Sequence, residues 1–463
     1  MTQFRLPKCD NSAQLKVSRT PVETGVSGWQ AIANTHRFDL PALDQDIETP
    51  WLIIGAGFAG IAAAQRLSQL VPEHERIVLV DACKLAQGPA GRNSGYMIDL
   101  PHDLNSHSYT GASDEDLKQI NLNRSAIDFA QEMAEQYKMP SQVFNRNGKV
   151  SAAAGGRGVK QLENYSLHLK QLNERFCILD RAQMTSYTGT SYYQQGLFTP
   201  GAATIQPAAF IQLAAKGLSD RVEIYQQTPV TGIIKGGAQN FHQVSAAKKT
   251  IKAKKIILAV NGHIESFGYF KRRLLHIFTY ASMSEALTSA QLSKLDSDAD
   301  WGVLPADPMG TTVRKISDYQ GSGDRIVVRN HFTYNPNLET TLKEIHRIKK
   351  KHDRAFRARF EMLEDVNMQY RWGGRLCLSL NSVPAFGEVD DNIFSAACQN
   401  GLGTVKGTLA GMLAAELAVQ GKTQQTENYL SYQQPQKLPP QPFLSLGVKA
   451  NLVYKEWLSG REL

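Results

Sequence analysis

The chain has 463 residues, enough for about two or three domains with large cores, and its charged fraction of 20% is ordinary for a globular protein. Its longest apolar stretch, residues 52–64, is interrupted by glycines and too short to cross a bilayer, no secretory signal opens the sequence, and the five scattered cysteines form no CxxC pair. These features predict a cytoplasmic protein with no transmembrane segment, disulfide framework or metal site, while a net charge of +8 leaves an anionic partner open.

The most informative pattern begins after an N-terminal arm, residues 1–45, that is predicted to lie on the surface or to be partly disordered. Residues 51–54 form an apolar strand, residues 58–70 a helix and residues 77–80 a second strand. Between the first strand and the helix, Gly55, Gly57 and Gly60 fit the GxGxxG pattern, and Asp81 follows about 20 residues later. This arrangement predicts a dinucleotide site, against the alternative of a glycine-rich turn in an ordinary α/β domain.

The next segments indicate a loop, a long helix and a second domain. Residues 88–97 carry three glycines beside Asn93 and Ser94, so this loop is expected to contact a cofactor rather than to be a plain surface turn. Residues 114–137 and 207–218 predict helices, and the irregular residues 142–199 are assigned to a second domain. A buried strand over residues 255–260 suits the third parallel strand of a nucleotide-binding sheet.

The densest basic run, residues 343–359, has helical spacing, with Leu342, Ile345, Ile348 and Phe356 available for an inner face. A solvated helix face is favoured over a nucleic-acid or membrane patch. No recognised nucleic-acid module accompanies the run, so no nucleic-acid partner is predicted.

The last informative segment joins a second glycine turn, residues 399–403, to a helix over residues 404–419. A helix N-terminus offers backbone donors and a positive dipole end. Two such sites far apart in the chain suit a flavin, whose two ends need separate cradles. Residues 422–463 are predicted to fold back on the body.

Four separated groups of motifs, in this order, resemble the D-amino-acid-oxidase-like family of FAD-dependent oxidoreductases. They are GAGFAG with Asp81, then GPAGRNSG, then KKIILAVNG, and last WGG with VPAFG and QNGLGTVKGTLAGMLAAELA. The branch resembled contains sarcosine oxidase, glycine oxidase and γ-glutamylputrescine oxidoreductase. The resemblance implies an α/β fold: a Rossmann-like, glutathione-reductase-like FAD-binding domain and an α+β substrate domain on a mainly antiparallel sheet. The implied FAD-binding domain is discontinuous, over residues 46–140, 199–269 and 370–421, and the implied substrate domain comprises residues 141–198 and 270–369.

The resemblance also implies non-covalent FAD and a set of residues around it. In some relatives a lysine follows the second glycine of the closing motif by two residues, but Val405 stands there, and Leu402 replaces a frequent histidine. Cys398, near this loop, is interpreted as a packed residue. The implied cofactor contacts are Gly55, Gly57, Phe58, Ala59, Gly60, Asp81, Ala82, Gly91, Arg92, Asn93, Ser94, Gly95, Tyr96, Met97, Val230, Asn261, Gly262, Gly401, Leu402, Gly403, Thr404 and Val405.

The implied reaction is oxidation of the C–N bond of a small amine or amino acid by hydride transfer to flavin N5, with oxygen, a quinone or another carrier as electron acceptor. The catalytic residues stay unknown. The substrate-side candidates are Tyr280, Arg314, Arg329, His331, Trp372 and Arg375, of which Arg314 and Arg329 could clamp a carboxylate. Two alternatives stay open: a flavin-binding accessory protein that assembles a partner, and an NAD-dependent dehydrogenase.

Overall fold

The computed structural model describes residues 14–33, 39–101, 113–236 and 241–463. Its largest sheet has nine strands, whose order is β1-β11-β12-β13-β2-β3-β10, with β20 beside β13 and β19 beside β20. The strands of this sheet are β1 (Gln14–Lys16), β2 (Ile47–Ile54), β3 (Ile77–Val80), β10 (Glu223–Tyr225), β11 (Val230–Ile234), β12 (His242–Ala246), β13 (Lys249–Leu258), β19 (Ala385–Asp390) and β20 (Ile393–Ala397).

Five neighbouring strands of this sheet, β10, β3, β2, β13 and β20, run parallel. The Ile, Leu and Val runs of β3 and of the ends of β2 and β13 are typical of strands covered on both faces. The predicted third parallel strand is confirmed, although it joins the second strand of the preceding hairpin in one ten-residue element. A small sheet of β4 (Tyr96–Met97), β5 (Phe144–Asn145) and β9 (Ala203–Ile205) lies outside it.

Helices pack on the nine-stranded sheet at very short range. The predicted helix α2 (Phe58–Leu70) is confirmed and crosses α9 (Val405–Gln420). A Cβ atom on Gly60 would lie 1.7 Å from the carbonyl oxygen of Gly55, and one on Gly411 would lie 1.9 Å from that of Ala59. Only glycine allows these contacts. Around them lie α1 (Gly28–Ile32), α3 (Ser113–Gln136), α6 (Pro207–Leu218) and α10 (Gln424–Leu430).

The second large sheet has eight strands in the order β18-β14-β17-β16-β15-β6-β8-β7 and is antiparallel except for the β15–β6 pair. The predicted fold class, a parallel nucleotide-binding sheet with a second, mainly antiparallel one, is confirmed. The strands are β6 (Lys149–Ala153), β7 (Cys177–Leu179), β8 (Gln195–Thr199), β14 (Leu275–Ser284), β15 (Trp301–Pro305), β16 (Thr312–Ile316), β17 (Arg325–Tyr334) and β18 (Met368–Leu378). The helices of this part are α4 (Gly156–Gln171), α5 (Arg181–Thr188), α7 (Ser289–Leu295), α8 (Leu342–Arg359) and α11 (Phe443–Ser459).

Two predicted assignments are corrected. Residues 370–378 were expected in the FAD-binding domain, but β18 pairs with β14 along its whole length in the eight-stranded sheet. The expected surface arm is corrected in part: residues 14–26 are exposed or half-buried, but β1 extends the nine-stranded sheet through β11, and Trp29 is fully buried. The other domain boundaries stay predictions.

Helix α8 confirms the predicted amphipathic helix in the basic run. Ile345, Ile348 and Phe356 are buried, whereas Leu342, expected on the same face, is exposed at the first turn.

Candidate active site

A deep cleft opens where the parallel strands end. Gly55 follows β2, Asp81 follows β3 and Ala259 follows β13, and all three line the cleft. The carboxyl edge of an open parallel sheet is where such folds bind nucleotides. The cleft encloses about 1460 Å³ free of protein atoms, open solvent included.

Two helix N-termini face this cleft. Helices α2 and α9 both begin without a side-chain cap, and Phe58 and Gly407 of their first turns line the cleft. Uncapped first-turn amides carry partial positive charge and suit an anionic group. Gly57 and Gly403 keep the approach open, because an added Cβ would meet only the Cβ of Ala90 at 3.7 Å in the first case and no atom within 4 Å in the second.

The carboxylate of Asp81 is fixed by backbone amides at the end of β3. Its Oδ2 accepts from the Ala56 amide at 2.7 Å and its Oδ1 from the Cys83 amide at 2.8 Å. Burial raises the pKa of Asp81, while these two bonds and the nearby Arg375 act in the opposite direction. Each oxygen keeps a lone pair for a hydroxyl of a ligand.

The segment between β1 and α1 forms one wall of the cleft. Val17, Arg19, Thr20, Pro21 and Glu23 line it. Sequence reasoning missed this wall, because the segment shows no periodicity and its partners lie hundreds of residues away.

A buried charge cluster anchors this wall. Glu23 pairs with Arg375 and, at 3.6 Å, with Arg92. Burial raises the pKa of the Glu23 carboxyl, although both arginines oppose that effect. Arg92 also donates to the carbonyls of Thr24 and Gly25, so it ties the wall to the loop that follows β3.

A second polar group lies between the two large sheets. Trp372, Ala281, Arg329 and Thr312 stand opposite one another across β18, β14, β17 and β16. Directly paired residues share a face, and the indole of Trp372 donates to the Arg92 carbonyl, so this face is turned toward the nucleotide-binding part.

The cation in this row, Arg329, pairs with no acidic side chain of the part of the chain that the structure describes. Within the described ranges no hydrogen bond or ion pair reaches the Arg329 guanidinium, which lies over the Phe332 ring at 5.1 Å from the ring centroid. Burial lowers the pKa of Arg329 to about 10, which leaves it charged at neutral pH. The hydroxyls of Thr312 and Tyr96 are likewise buried without a hydrogen-bond partner among the described residues.

Comparison with known proteins identifies the kind of site. A family model described as FAD dependent oxidoreductase matches residues 51–417. The chain belongs to this family. It is therefore an oxidoreductase that uses FAD, and the NAD-dependent alternative is wrong.

Individual relatives agree. The chain is 25% identical to a probable oxidoreductase, OrdL, of Haemophilus influenzae over 390 residues, 82% of this chain and 85% of the relative. It is 22% identical to γ-glutamylputrescine oxidoreductase of Escherichia coli over 399 residues, 84% and 88% of the two chains. The crystal structure of glycine oxidase from Geobacillus kaustophilus superposes with a TM-score of 0.64 at 15% identity, covering 81% of this chain and 96% of that one. This last similarity shows the fold.

The residues expected to contact FAD divide into two groups. Those that line the cleft are Gly55, Gly57, Phe58, Ala59, Asp81, Ala82, Asn93, Val230, Asn261, Gly262, Gly401 and Gly403. Those that do not are Gly60, Gly91, Arg92, Ser94, Gly95, Tyr96, Met97, Leu402, Thr404 and Val405.

Several members of the second group have evident structural roles. Gly60 allows the helix contact described above. The Arg92 side chain points to the N-terminal wall, and Val405 is fully buried. Leu402 packs on Tyr96, Ile98 and Leu304, beside the row that holds Arg329.

Of the six substrate-side candidates, Trp372 and Arg329 stand in the same row, and the other four lie outside that row. Tyr280 binds the hydroxyls of Thr333 and Thr340 beneath α8, and His331 pairs with Glu456 of α11. Arg314 donates to the carbonyls of Gly95 and Ile205, and its guanidinium lies over the rings of Trp29 and Tyr96. These contacts give Arg314 a structural role. Trp372 is committed to the Arg92 carbonyl, and Arg375 lies in the nucleotide cleft. Arg329 stays a predicted substrate ligand.

No described helix is long and apolar enough to cross a membrane.

The chain outside the cleft motifs contributes further lining residues that sequence reasoning missed, among them His263, Leu338 and Cys377. Burial, with Arg375 and His276 nearby, lowers the pKa of His263 to about 3, so its imidazole is neutral. The Asn-Gly end of β13 was the available signal for His263.

Proposed function

We propose that the enzyme oxidises the C–N bond of a small amine that carries a negatively charged group, such as an amino acid, with FAD held non-covalently in the cleft. The observation that carries the proposal is the half-buried Arg329 cation, which has no anionic partner among the described residues. The hydroxyl of Thr312, which stands opposite Arg329, and that of Tyr96 have no hydrogen-bond partner among the described residues either. A cation removed in large part from water gains from a bound anion.

The cofactor contacts are proposed from the cleft. The α2 N-terminus at Gly57 would face the pyrophosphate, and the Asp81 carboxylate would accept from the adenosine ribose. Val230 would meet the adenine through its backbone. The Gly401–Gly403 turn and the α9 N-terminus would face the flavin ring, where a positive dipole end stabilises negative charge.

Non-covalent binding is supported by the two cysteines that line the cleft. Burial raises the pKa of the Cys83 thiol to about 12, and the pKa of Cys377 is also raised, first by its hydrogen bond with Cys398 and then by burial. A protonated thiol is a poor nucleophile, so neither group suits a covalent bond to the flavin.

The chemistry that FAD would supply when bound is acceptance of a hydride from the carbon next to the substrate nitrogen. The substrate amine must be neutral at that point. The imine that results is hydrolysed by water to a carbonyl compound, and the nitrogen leaves as ammonia or as a smaller amine. Burial raises the pKa of Tyr96 far above neutrality, so its phenol is proposed to donate a hydrogen bond to the substrate rather than to act as a base.

The experiment compares flavin reduction by an amino acid and by its amide in wild type, Arg329→Met and Arg325→Met. Arg325 lies on the same strand, but its guanidinium donates to the Ser284 carbonyl and to Gln369. Loss of a buried charge pair costs about 2–5 kcal/mol, so Arg329→Met should raise the apparent dissociation constant of the acid roughly 30-fold or more. The amide constant and the Arg325→Met enzyme should change little.

The proposal fails if the amide reduces the flavin of the wild-type enzyme as readily as the acid does, and Arg329→Met leaves the dissociation constants of acid and amide unchanged. Arg329→Lys provides a second check, because it keeps the charge but loses the bidentate geometry. Its apparent dissociation constant for the acid should fall between those of wild type and Arg329→Met.

A further inference from the structure

The C-terminal helix α11 exposes an apolar face that the enzyme activity does not explain. Phe443, Leu446, Val453, Tyr454 and Trp457 are between 57% and 74% exposed. With Ala450 included, most neighbours are three or four residues apart, and the six positions lie in one stripe about 100° wide at 100° per residue. We call these five residues the outer stripe of α11.

The outer stripe is not the face by which the helix is held. Val448 and Leu452, on the opposite side of α11, pack on the cluster formed by Ile277, Met309 and Phe332. A helix that needed only to pack on the body would carry polar residues outside, so the apolar residues there indicate a partner.

The neighbouring helix supplies positive charge. The side chains of Lys351 on α8 and Glu456 on α11 pair at 2.6 Å, and Glu456 also meets His331 at 3.0 Å, so the two helices lie side by side at this point. Helix α8 carries eight Lys or Arg residues against two acidic ones, and Lys349, Lys350 and Arg354 are exposed. The sequence favoured a solvated helix face for this basic run over a membrane patch.

We propose that the outer stripe of α11 and the cations of α8 together dock on the surface of an anionic lipid bilayer. Trp, Tyr and Phe are favoured at a lipid headgroup boundary, because their rings are apolar and the Trp and Tyr tips are polar. A basic surface beside such a stripe adds attraction to anionic lipid, which falls with salt. The stripe is the outer side of a single convex helix, a shape that inserts into a fluid surface without a matching groove.

The intrinsic fluorescence offers a direct readout. Of the five tryptophans, Trp29, Trp51, Trp301 and Trp372 are buried, and Trp457 is 74% exposed. Insertion of the stripe should therefore shift the Trp457 emission to shorter wavelength. Trp457→Phe should remove the shift while keeping most of the binding.

The test is co-sedimentation of the holoenzyme with vesicles of phosphatidylcholine, with and without one quarter phosphatidylglycerol, at 0.1 M and 1 M salt. Wild type should bind the anionic vesicles at low salt. The combined change Phe443→Ser, Val453→Ser and Trp457→Ser should lower the partition coefficient at least about 10-fold. The combined change Lys349→Gln, Lys350→Gln and Arg354→Gln should lower it about 30-fold or more on anionic vesicles.

Matched controls alter surfaces elsewhere. Leu167→Ser with Ile178→Ser removes two other exposed apolar side chains, and Lys170→Gln, Lys252→Gln and Lys294→Gln remove three exposed charges. These controls should bind vesicles as wild type does, and all variants should keep the wild-type melting temperature.

Three outcomes would overturn the proposal: no partition of wild type into anionic vesicles, partition that the stripe substitutions leave unchanged, or a dimer in lipid-free solution that the stripe substitutions dissociate. The last would assign the face to a second copy of the chain. The measurement needs no substrate, so its result is independent of the proposed reaction.

Discussion

Glu462, the next-to-last residue, is an unusual buried carboxylate. Its Oε1 accepts from the backbone amides of Ala154 and Gly155 at 2.7 and 3.1 Å, and the residue is 3% exposed. Burial outweighs these bonds and raises the pKa of Glu462 to about 7. The end of the chain is thereby attached to the N-terminus of α4 by a group that titrates near neutrality.

The raised pKa predicts how stability changes with pH. Between pH 4.5 and 7 the folded protein holds a proton on Glu462 that the unfolded chain has released, so the free energy of unfolding should fall as pH rises through this window, by about 3 kcal/mol. Glu462→Gln should remove this contribution, and exposed Glu361→Gln should not. Urea unfolding at pH 5 and pH 8 measures the difference. Equal pH dependence of wild type and Glu462→Gln would contradict the assignment.

The sequence does not predict which face of a strand each side chain occupies, and His331 shows why. Side chains alternate along a strand, so Arg329 and His331 should share a face. The β14–β17 register shifts at this point, and His331 has a φ of +55°, so it turns to Glu456 and α8 instead. A bulge of this kind reverses the alternation and leaves no local pattern in the sequence.

At the scale of elements, the segment that carries β1 and the following residues is part of the cofactor cleft. Val17 donates to the Thr231 carbonyl at 2.9 Å, and the Glu23 cluster closes the other end of the wall. The wall is therefore fixed at both ends beside the nucleotide site, and we expect it to slow the release of FAD.

Truncation tests this role. A chain that lacks residues 1–26 should release FAD at least about 10-fold faster than wild type, because the cover and its buried contacts are lost. A chain that lacks only residues 1–13 keeps β1 and the wall and should release FAD at the wild-type rate. Recovery of flavin fluorescence after dilution measures both. Equal rates for the two truncations, with both folded by circular dichroism, would show that the wall does not retain the cofactor.

Elements with local signals could be predicted from the sequence, and elements held by distant partners could not. The strands and helix around GAGFAG followed from glycine spacing and apolar runs, and their bounds at Phe58–Leu70 and Ile77–Val80 are confirmed. Strand β1 has three residues and pairs with β11, which lies more than 200 residues away in the sequence. For β18, the WGG motif indicated the family but not the sheet to which the strand belongs.

At the scale of the whole molecule, the loop over residues 88–97 joins the two halves of the site. Its Asn93 lines the nucleotide cleft, its Gly95 carbonyl accepts from Arg314 of the eight-stranded sheet, and its Arg92 carbonyl accepts from Trp372. One loop thus sets the position of the Arg329 row relative to the cofactor cleft. The order of motifs in the sequence predicted a nucleotide-binding sheet and a second, mainly antiparallel sheet. The contacts that align the two sheets appear only in three dimensions.

Anaerobic titration of the enzyme-bound flavin with a panel of amines tests the account most directly, because it does not depend on the electron acceptor. We expect an amine with a carboxylate to bleach the oxidised flavin and to yield one carbonyl product per flavin reduced. A flavin that dithionite reduces but that stays oxidised with every amine in the panel would contradict C–N oxidation as the reaction of this enzyme.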